Sequence, residues 1–302
     1  MEFNNRKETI ELTREWKGER FDDGRPRVPD EDLEILRTMT LEEIWLPLYI
    51  MDYKFQFVGD MKILLPGKKL VGRAVTCTFV PTRPDLYSLI SGIGKERGWE
   101  GMCNQWVIDN LTHGDVVVSD MFDKVFNGTF IGGNLTTAIA THTGDGGAVI
   151  WGGVRDVEQM AKIGVQVYYR GTDPTPIREC VMTGYNTPCR INEAICLPGD
   201  IVLGTTSGVL FIPSHLVKTL INSALKSKVK DIFGFEMIEK GIYSTALIDD
   251  AVWTLEMMEN LMKFIEQDSR CEKFRSLDWS LEIGAAKGEP EALKEVLKGC
   301  LI

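Results

Sequence analysis

The residues best equipped for chemistry lie within residues 132–176. Gly132-Gly133-Asn134-Leu135 stand at the entrance of a helical segment, and Gly152-Gly153-Val154-Arg155-Asp156 follow an apolar run that reads as a strand. Glycines ahead of a helix let the backbone approach a ligand, and the free N–H groups of the first turn favour an anion. Arg155 offers a planar, permanently charged fork suited to a carboxylate. Asp156 offers a hard oxygen ligand suited to magnesium or manganese. Anion cradle, arginine and metal-binding aspartate together suit an oxo-acid. The same residues also have a purely structural use. Gly132-Gly133 serves as a turn, and Asp156 with Gln159 three residues on serves as a helix cap beside a solvated Arg155.

Other chemistries lack their residues. The chain carries no dinucleotide-binding glycine fingerprint, no P-loop, no nucleophile elbow and no zincin helix. Its three histidines, His113, His142 and His215, are scattered, so neither a histidine metal cluster nor a histidine-activated nucleophile is expected. The seven cysteines, Cys77, Cys103, Cys180, Cys189, Cys196, Cys271 and Cys300, are odd in number and form no CxxC pair. A disulfide framework or structural zinc site is not expected.

The elements that must position these residues alternate in type. Residues 70–80 are rich in β-branched side chains and read as a strand. Residues 84–99 have helical spacing. A turn and strand follow at 114–120, a short helix at 134–143, a buried-type strand at 147–151, a helix at 156–163 and a strand at 165–169. This βαβαβ rhythm predicts an α/β layer with short connections. Pro198-Gly199-Asp200-Ile201-Val202 and Gly208-Val209-Leu210-Phe211-Ile212-Pro213 read as the two arms of a hairpin. Beyond Pro213 the pattern turns helical over 214–240 and 248–267, with residues 280–302 as one further helix or a tail. The division expected is an N-terminal arm over 1–39, a core domain over 40–227 and a C-terminal helical extension over 228–302.

Composition bounds the class. The chain has 302 residues, 44% apolar and 26% charged, with 34 basic against 44 acidic residues and a formal charge of −10. Length and balance fit a globular protein with a full core. Such an acidic chain lacks the basic stripe of a phosphate-backbone binder, so no nucleic acid is expected as partner. The first twenty residues are charged and lack the apolar core of a secretory signal. The longest uncharged runs, 125–144 and 201–217, are broken by Gly, Asn, Thr, Ser or Pro, so no membrane span is expected. A cytoplasmic location is the resulting expectation.

The run GGNLTTAIATHTGDGGAVIWGGVRDVEQMAKIGVQVYYRGTDPTP resembles the RraA-like family, which includes the 4-hydroxy-4-methyl-2-oxoglutarate aldolases. The shared series is a GxxL helix entrance at Gly132–Leu135, G-x-R-D at Gly153–Asp156, a short helix, and a strand ending in Arg170-Gly171. The later PGDIVLGTTSGVLFIP resembles the family's PGD…GVxxIP hairpin. The resemblance covers about half the chain, roughly residues 70–217.

That resemblance implies a compact, layered β/β/α domain, here with helical N- and C-terminal extensions, assembled as a homotrimer or homohexamer. It implies that the backbone of Gly132, Gly133, Asn134 and Leu135 holds a substrate carboxylate, that Arg155 binds the pyruvyl oxygens and stabilises enolate charge, and that Asp156 holds a divalent Mg2+ or Mn2+. The implied reaction is C–C cleavage of a small 2-oxo dicarboxylic acid to release pyruvate, by aldol cleavage or by oxaloacetate decarboxylation. Two alternatives stand beside it: a non-catalytic RraA-like regulatory protein, and a lyase of a sugar acid or hydroxy acid. Two positions depart from the family pattern. Aldolase relatives often place an acid where this chain has Gly133, and often place Asp in the turn occupied here by Gly204-Thr205-Thr206-Ser207. Asp120 and Asp123 are the nearby acids that compensation would call on.

Overall fold

The computed structural model describes residues 2–298. The strands are β1 (Phe57–Val58), β2 (Lys62–Ile63), β3 (Leu70–Pro81), β4 (Asp115–Asp120), β5 (Thr129–Ile131), β6 (Gly147–Val154) and β7 (Gln166–Thr172). They continue with β8 (Cys180–Tyr185), β9 (Cys189–Ile191), β10 (Ala194–Cys196), β11 (Ile201–Thr205) and β12 (Gly208–Ile212). The helices are α1 (Arg6–Leu12), α2 (Asp30–Arg37), α3 (Leu41–Ile50), α4 (Pro84–Glu96), α5 (Cys103–Ile108) and α6 (Gly133–Thr143). They continue with α7 (Val157–Ile163), α8 (Val217–Glu239), α9 (Thr245–Ile248), α10 (Leu255–Gln267), α11 (Ser280–Ala286) and α12 (Pro290–Leu297). The chain forms two units: Met1–Leu41 with Phe55–Val217, and Glu42–Lys54 with Lys218–Ile302.

The first unit is built on one mixed sheet, in the order β1-β12-β11-β3-β4-β6-β7-β2. Its middle strands β3, β4, β6 and β7 run parallel, with Thr78 opposite Asp120 and Asp120 opposite Trp151. Every residue of β6, GAVIWGGV, is buried, as expected for a strand covered on both faces. Side chains alternate between two cores. Val117, Ile150 and Val167 meet Ile139 of α6 and Met160 of α7 on one face. Val116, Val118, Val149 and Tyr168 meet Cys189, Ile191 and Cys196 of the β9–β10 hairpin on the other. Helices, sheet and hairpin thus form successive layers, and each Val or Ile so buried contributes about 1.5–3 kcal/mol.

The alternation expected from sequence is present as β4, α6, β6, α7 and β7. Strands β1, β2, β5, β8, β9 and β10 are missing from the sequence-based expectation; of these, β5, only Thr129-Phe130-Ile131, pairs in parallel with the end of β6. It is too short for periodicity to register. The predicted hairpin is β11–β12, with Ile201 opposite Ile212. The N-terminal arm expected over residues 1–39 belongs, in its described part, to this unit. Arg25, 2% exposed, forms a bidentate pair with the fully buried Asp115 at 2.7 and 3.1 Å.

The second unit is helical and has a core of its own, in which Phe233, Met257, Leu261, Phe274 and Trp279 pack together. Residues 280–298 form two helices, not one. Gly288 takes a left-handed φ of 82°, and Pro290 opens α12 at its first turn. A left-handed glycine ends one helix and a proline starts the next. Cys300 lies outside the described residues. The six described cysteines are all free.

Candidate active site

The end of β6 carries the candidate chemistry because two glycines let another segment lie against it. A Cβ at Gly152 would stand 2.5 Å from Cβ of Met121, and one at Gly153 would stand 2.9 Å from the Val125 carbonyl oxygen. The Gly153 N–H donates to the Lys124 carbonyl at 2.9 Å, so the segment after β4 is strapped across the strand. That segment leads into β5, whose Ile131 carbonyl accepts from the Arg155 N–H at 3.0 Å. Residues 131–135 and 153–156 are thereby brought side by side.

Gly132 sits at their closest approach. A Cβ there would stand 2.5 Å from Oδ2 of Asp156 and 2.9 Å from Cγ of Arg155. The glycine therefore makes room for the arginine–aspartate pair itself. Asp156 has a left-handed φ of 56° and its side chain does not cap α7, the helix it precedes. Its Oδ2 accepts instead from the N–H of Gly133, the first residue of α6, at 3.2 Å. A carboxylate is favoured there because first-turn N–H groups lack intrahelical partners and the helix dipole is positive at that end. The simple cap reading of Asp156 and Gln159 thus gives way to a cross-link between two helix starts.

Arg155 Nε lies 3.8 Å from Asp156 Oδ2, with both side chains about two-fifths exposed. Arg155 stands in the wall of two cavities. The first is a cleft of about 230 Å³, bounded by Gly132, Asn134 and Leu135 on one side and by Asn104, Phe130 and Ile177 on the other. The second is a broader groove of about 630 Å³, which Arg155 shares with Asp156, Glu158, Gln159, Thr172 and Asp173. The structure thus brings together all six residues singled out from sequence. Gly132, Asn134, Leu135 and Arg155 line the cleft, Gly133 holds Asp156, and Asp156 faces the groove.

Sequence reasoning missed the far wall. Asn104 and Gln105 come from α5, and Pro176 and Ile177 from the segment after β7. The one available signal was a polar pair inside the otherwise apolar CNQWVI. Asp120 and Asp123, considered as substitutes for an acid at Gly133, line neither cavity. Asp120 accepts from the Phe122 N–H at 2.8 Å, and burial pushes its carboxyl up. Asp123 pairs with Arg170 at 3.0 Å.

Among the described residues no group of three or more His, Cys, Asp or Glu side chains is arranged to hold a metal ion. The donor set at the site is therefore lean: Asp156, with Glu158 and Asp173 elsewhere in the same groove. Lean carboxylate coordination suits magnesium, which keeps most of its waters, better than zinc, which needs a full protein shell.

The chain and its fold have known relatives. The chain is 25% identical over 193 residues to protein DlpA of Legionella pneumophila, covering 64% of this chain and 28% of that protein. It is 25% identical over 118 residues to a Halalkalibacterium halodurans protein provisionally named a 4-hydroxy-4-methyl-2-oxoglutarate aldolase, covering 39% of this chain and 55% of that one. The chain therefore spans only part of the length of either relative. The crystal structure of Streptomyces coelicolor RraAS2, described as an unusual member of the RNase ES inhibitor RraA protein family, superposes with a TM-score of 0.60 at 22% identity. That superposition covers 70% of this chain and 97% of RraAS2, and it shows a shared α/β fold to which this chain adds terminal helices. A family model described as RraA-like, Aldolase/RraA, matches residues 49–211, more than half of the sequence, and the chain belongs to that family.

Proposed function

We propose that this protein is a divalent-metal-assisted carbon–carbon lyase that cleaves a small 2-oxo acid and releases pyruvate. The observation that carries this reading is that Arg155 and the start of α6 line one cleft, while Asp156, next to Arg155 in the adjoining groove, is tied to the same helix start by the Gly133 N–H. Asn134 and Leu135, in the first turn of α6, present N–H groups without intrahelical partners toward an anion. Arg155 supplies a fixed positive charge where enolate charge develops, the kind of interaction that lowers such barriers most. Asp156, whose Oδ2 is oriented by Gly133, would hold the ion. Magnesium or manganese bound there supplies Lewis-acid polarisation of the 2-oxo group. The relative named as an aldolase supports the same chemistry.

A second reading, a non-catalytic regulatory protein, draws support from the lean metal-donor set and from the inhibitor family of RraAS2. A pyruvate-release screen of 2-oxo acids, run with and without magnesium, separates the two. Magnesium-dependent pyruvate is the expected result. Its absence from every compound, at protein concentrations that saturate binding, would reject the lyase.

A further inference from the structure

The charge and hydrogen-bonding character of the two cavity walls points to the class of 2-oxo acid, given that the cleft is the lyase site proposed above. We infer that the substrate carries a single carboxylate and that hydroxyl groups, not a second carboxylate, occupy the rest of its chain.

Arg155 is the one cation lining either cavity among the described residues. A carboxylate held by Arg155 uses that charge. The rest of the substrate then extends into the inner cleft or the outer groove. The outer groove sets Asp156, Glu158 and Asp173 against the single guanidinium. Asp173 is held ionised, because the N–H and hydroxyl of Thr175 both donate to it and keep its carboxyl below the usual range. A divalent ion on Asp156 would be engaged by the 2-oxo group, as proposed above, so a second carboxylate would still face Glu158 and Asp173. Hydroxyl groups fit such a wall, since they donate to carboxylates.

The inner cleft makes a separate demand. Asn104 is 2% exposed and lies in its wall. Its Nδ2 donates to the Phe130 carbonyl at 2.6 Å, which fixes the amide. Its Oδ1 is buried and has no hydrogen-bond partner among the described residues. A buried acceptor left without a donor is costly. A substrate hydroxyl, met by a small shift of the Asn104 amide in the cleft wall, would satisfy it, whereas a carboxylate brings another acceptor. The remaining polar side chains of the cleft, Thr129, Gln105 and Asn134, are neutral. Both walls therefore favour a hydroxylated, uncharged tail, as in acids derived from sugars, over the dicarboxylates implied by the family resemblance.

A matched pair of compounds tests this. 4-Hydroxy-2-oxoglutarate and 4,5-dihydroxy-2-oxopentanoate share five carbons and a 4-hydroxyl, and differ only in carboxylate against hydroxymethyl at C5. Retro-aldol cleavage of the second breaks C3–C4, leaves the electron pair on C3 as the pyruvate enolate, and removes the 4-hydroxyl proton to give glycolaldehyde. The enolate then takes a proton at C3 to give pyruvate. Titration calorimetry and pyruvate release are measured on the full chain with magnesium. The dihydroxy acid is expected to bind about tenfold more tightly, the effect of one charge-assisted contact or its loss. Asn104→Ala should shrink the preference for the dihydroxy acid over 2-oxopentanoate by about tenfold. Glu158→Lys, at an exposed position, should narrow the preference for the dihydroxy acid over the dicarboxylate by about tenfold. It decides the matter if Asn104→Ala fails to fold. Dicarboxylate binding as tight as or tighter than dihydroxy acid binding, with pyruvate released, overturns the inference and leaves the lyase standing. Failure of both acids to bind or yield pyruvate overturns both.

Discussion

Gly132 is the residue on which the site's geometry turns, because its missing side chain is the space that Arg155 and Asp156 occupy. Gly132→Ala should push the pair apart, costing about 1–3 kcal/mol of stability as overpacking does and at least tenfold in turnover. Thermal melts and pyruvate release on one preparation check both. Arg155→Ala should behave differently. The side chain is about two-fifths exposed and holds no core together, so the melting temperature should stay within a degree or two of the parent. Loss of a charge partner for the developing enolate should lower kcat by about 10²–10³. Equal turnover in parent and variant would remove Arg155 from the chemistry. At this scale the sequence was informative where the site is contiguous. Gly132–Leu135 and Arg155-Asp156 belong to two short stretches, each with its own residue-type signature. Asn104 and Ile177 carry no such mark, because only the packing of α5 and of the segment after β7 brings them to the same cleft.

At the scale of elements, period and punctuation were the legible features. The long strands β3, β4 and β6 and the helices α4 and α6 follow from β-branched runs and helical spacing. The two- and three-residue strands β1, β2 and β5 could not be read, since their pairing is decided by the neighbours they meet. Nor did composition show that residues 1–41 join the first unit. Arg25 reaches across to Asp115 at the start of β4, and both side chains are buried. Removing one partner strands the other charge, so Arg25→Ala should cost about 3–5 kcal/mol, seen as a lower urea midpoint. Asp200, at the start of β11, gives an opposite kind of dependence. Burial pushes its carboxyl up to about 7, although it accepts from the Leu197 N–H at 2.8 Å. The folded chain therefore binds a proton that the unfolded chain releases near the ordinary carboxylate range. Stability from this group is fully present below about pH 4 and is lost as pH rises through about 7. Asp200→Asn, which keeps an acceptor and cannot ionise, should flatten that decline in urea midpoints between pH 5 and 8.

At the scale of the whole molecule, the helical extension raises the question of what covers its apolar faces. Within the second unit the helices cover one another, since Phe233, Met257, Leu261, Phe274 and Trp279 form a closed cluster. Their periodicity alone is thus no reason to expect partners. The first unit supplies a better one. Phe55 and Phe57 are exposed with Gln56 buried between them, an alternation that puts both rings on one side of the chain. Ile195, also exposed, joins them, because its N–H donates to the Phe55 carbonyl at 3.0 Å. Phe57 belongs to β1, which ends the sheet and pairs only with β12. Apolar side chains gathered at an open sheet edge are what monomers avoid and interfaces use. We propose on this ground that the chain self-associates, with the trimer or hexamer implied by the family resemblance as the expected form. Light scattering should give a whole-number multiple of the 34.0 kDa chain mass. Phe57→Asp should lower that multiple while leaving the circular dichroism spectrum unchanged, since the ring is already partly in solvent. A single 34.0 kDa species at micromolar concentration would show that the patch stays uncovered.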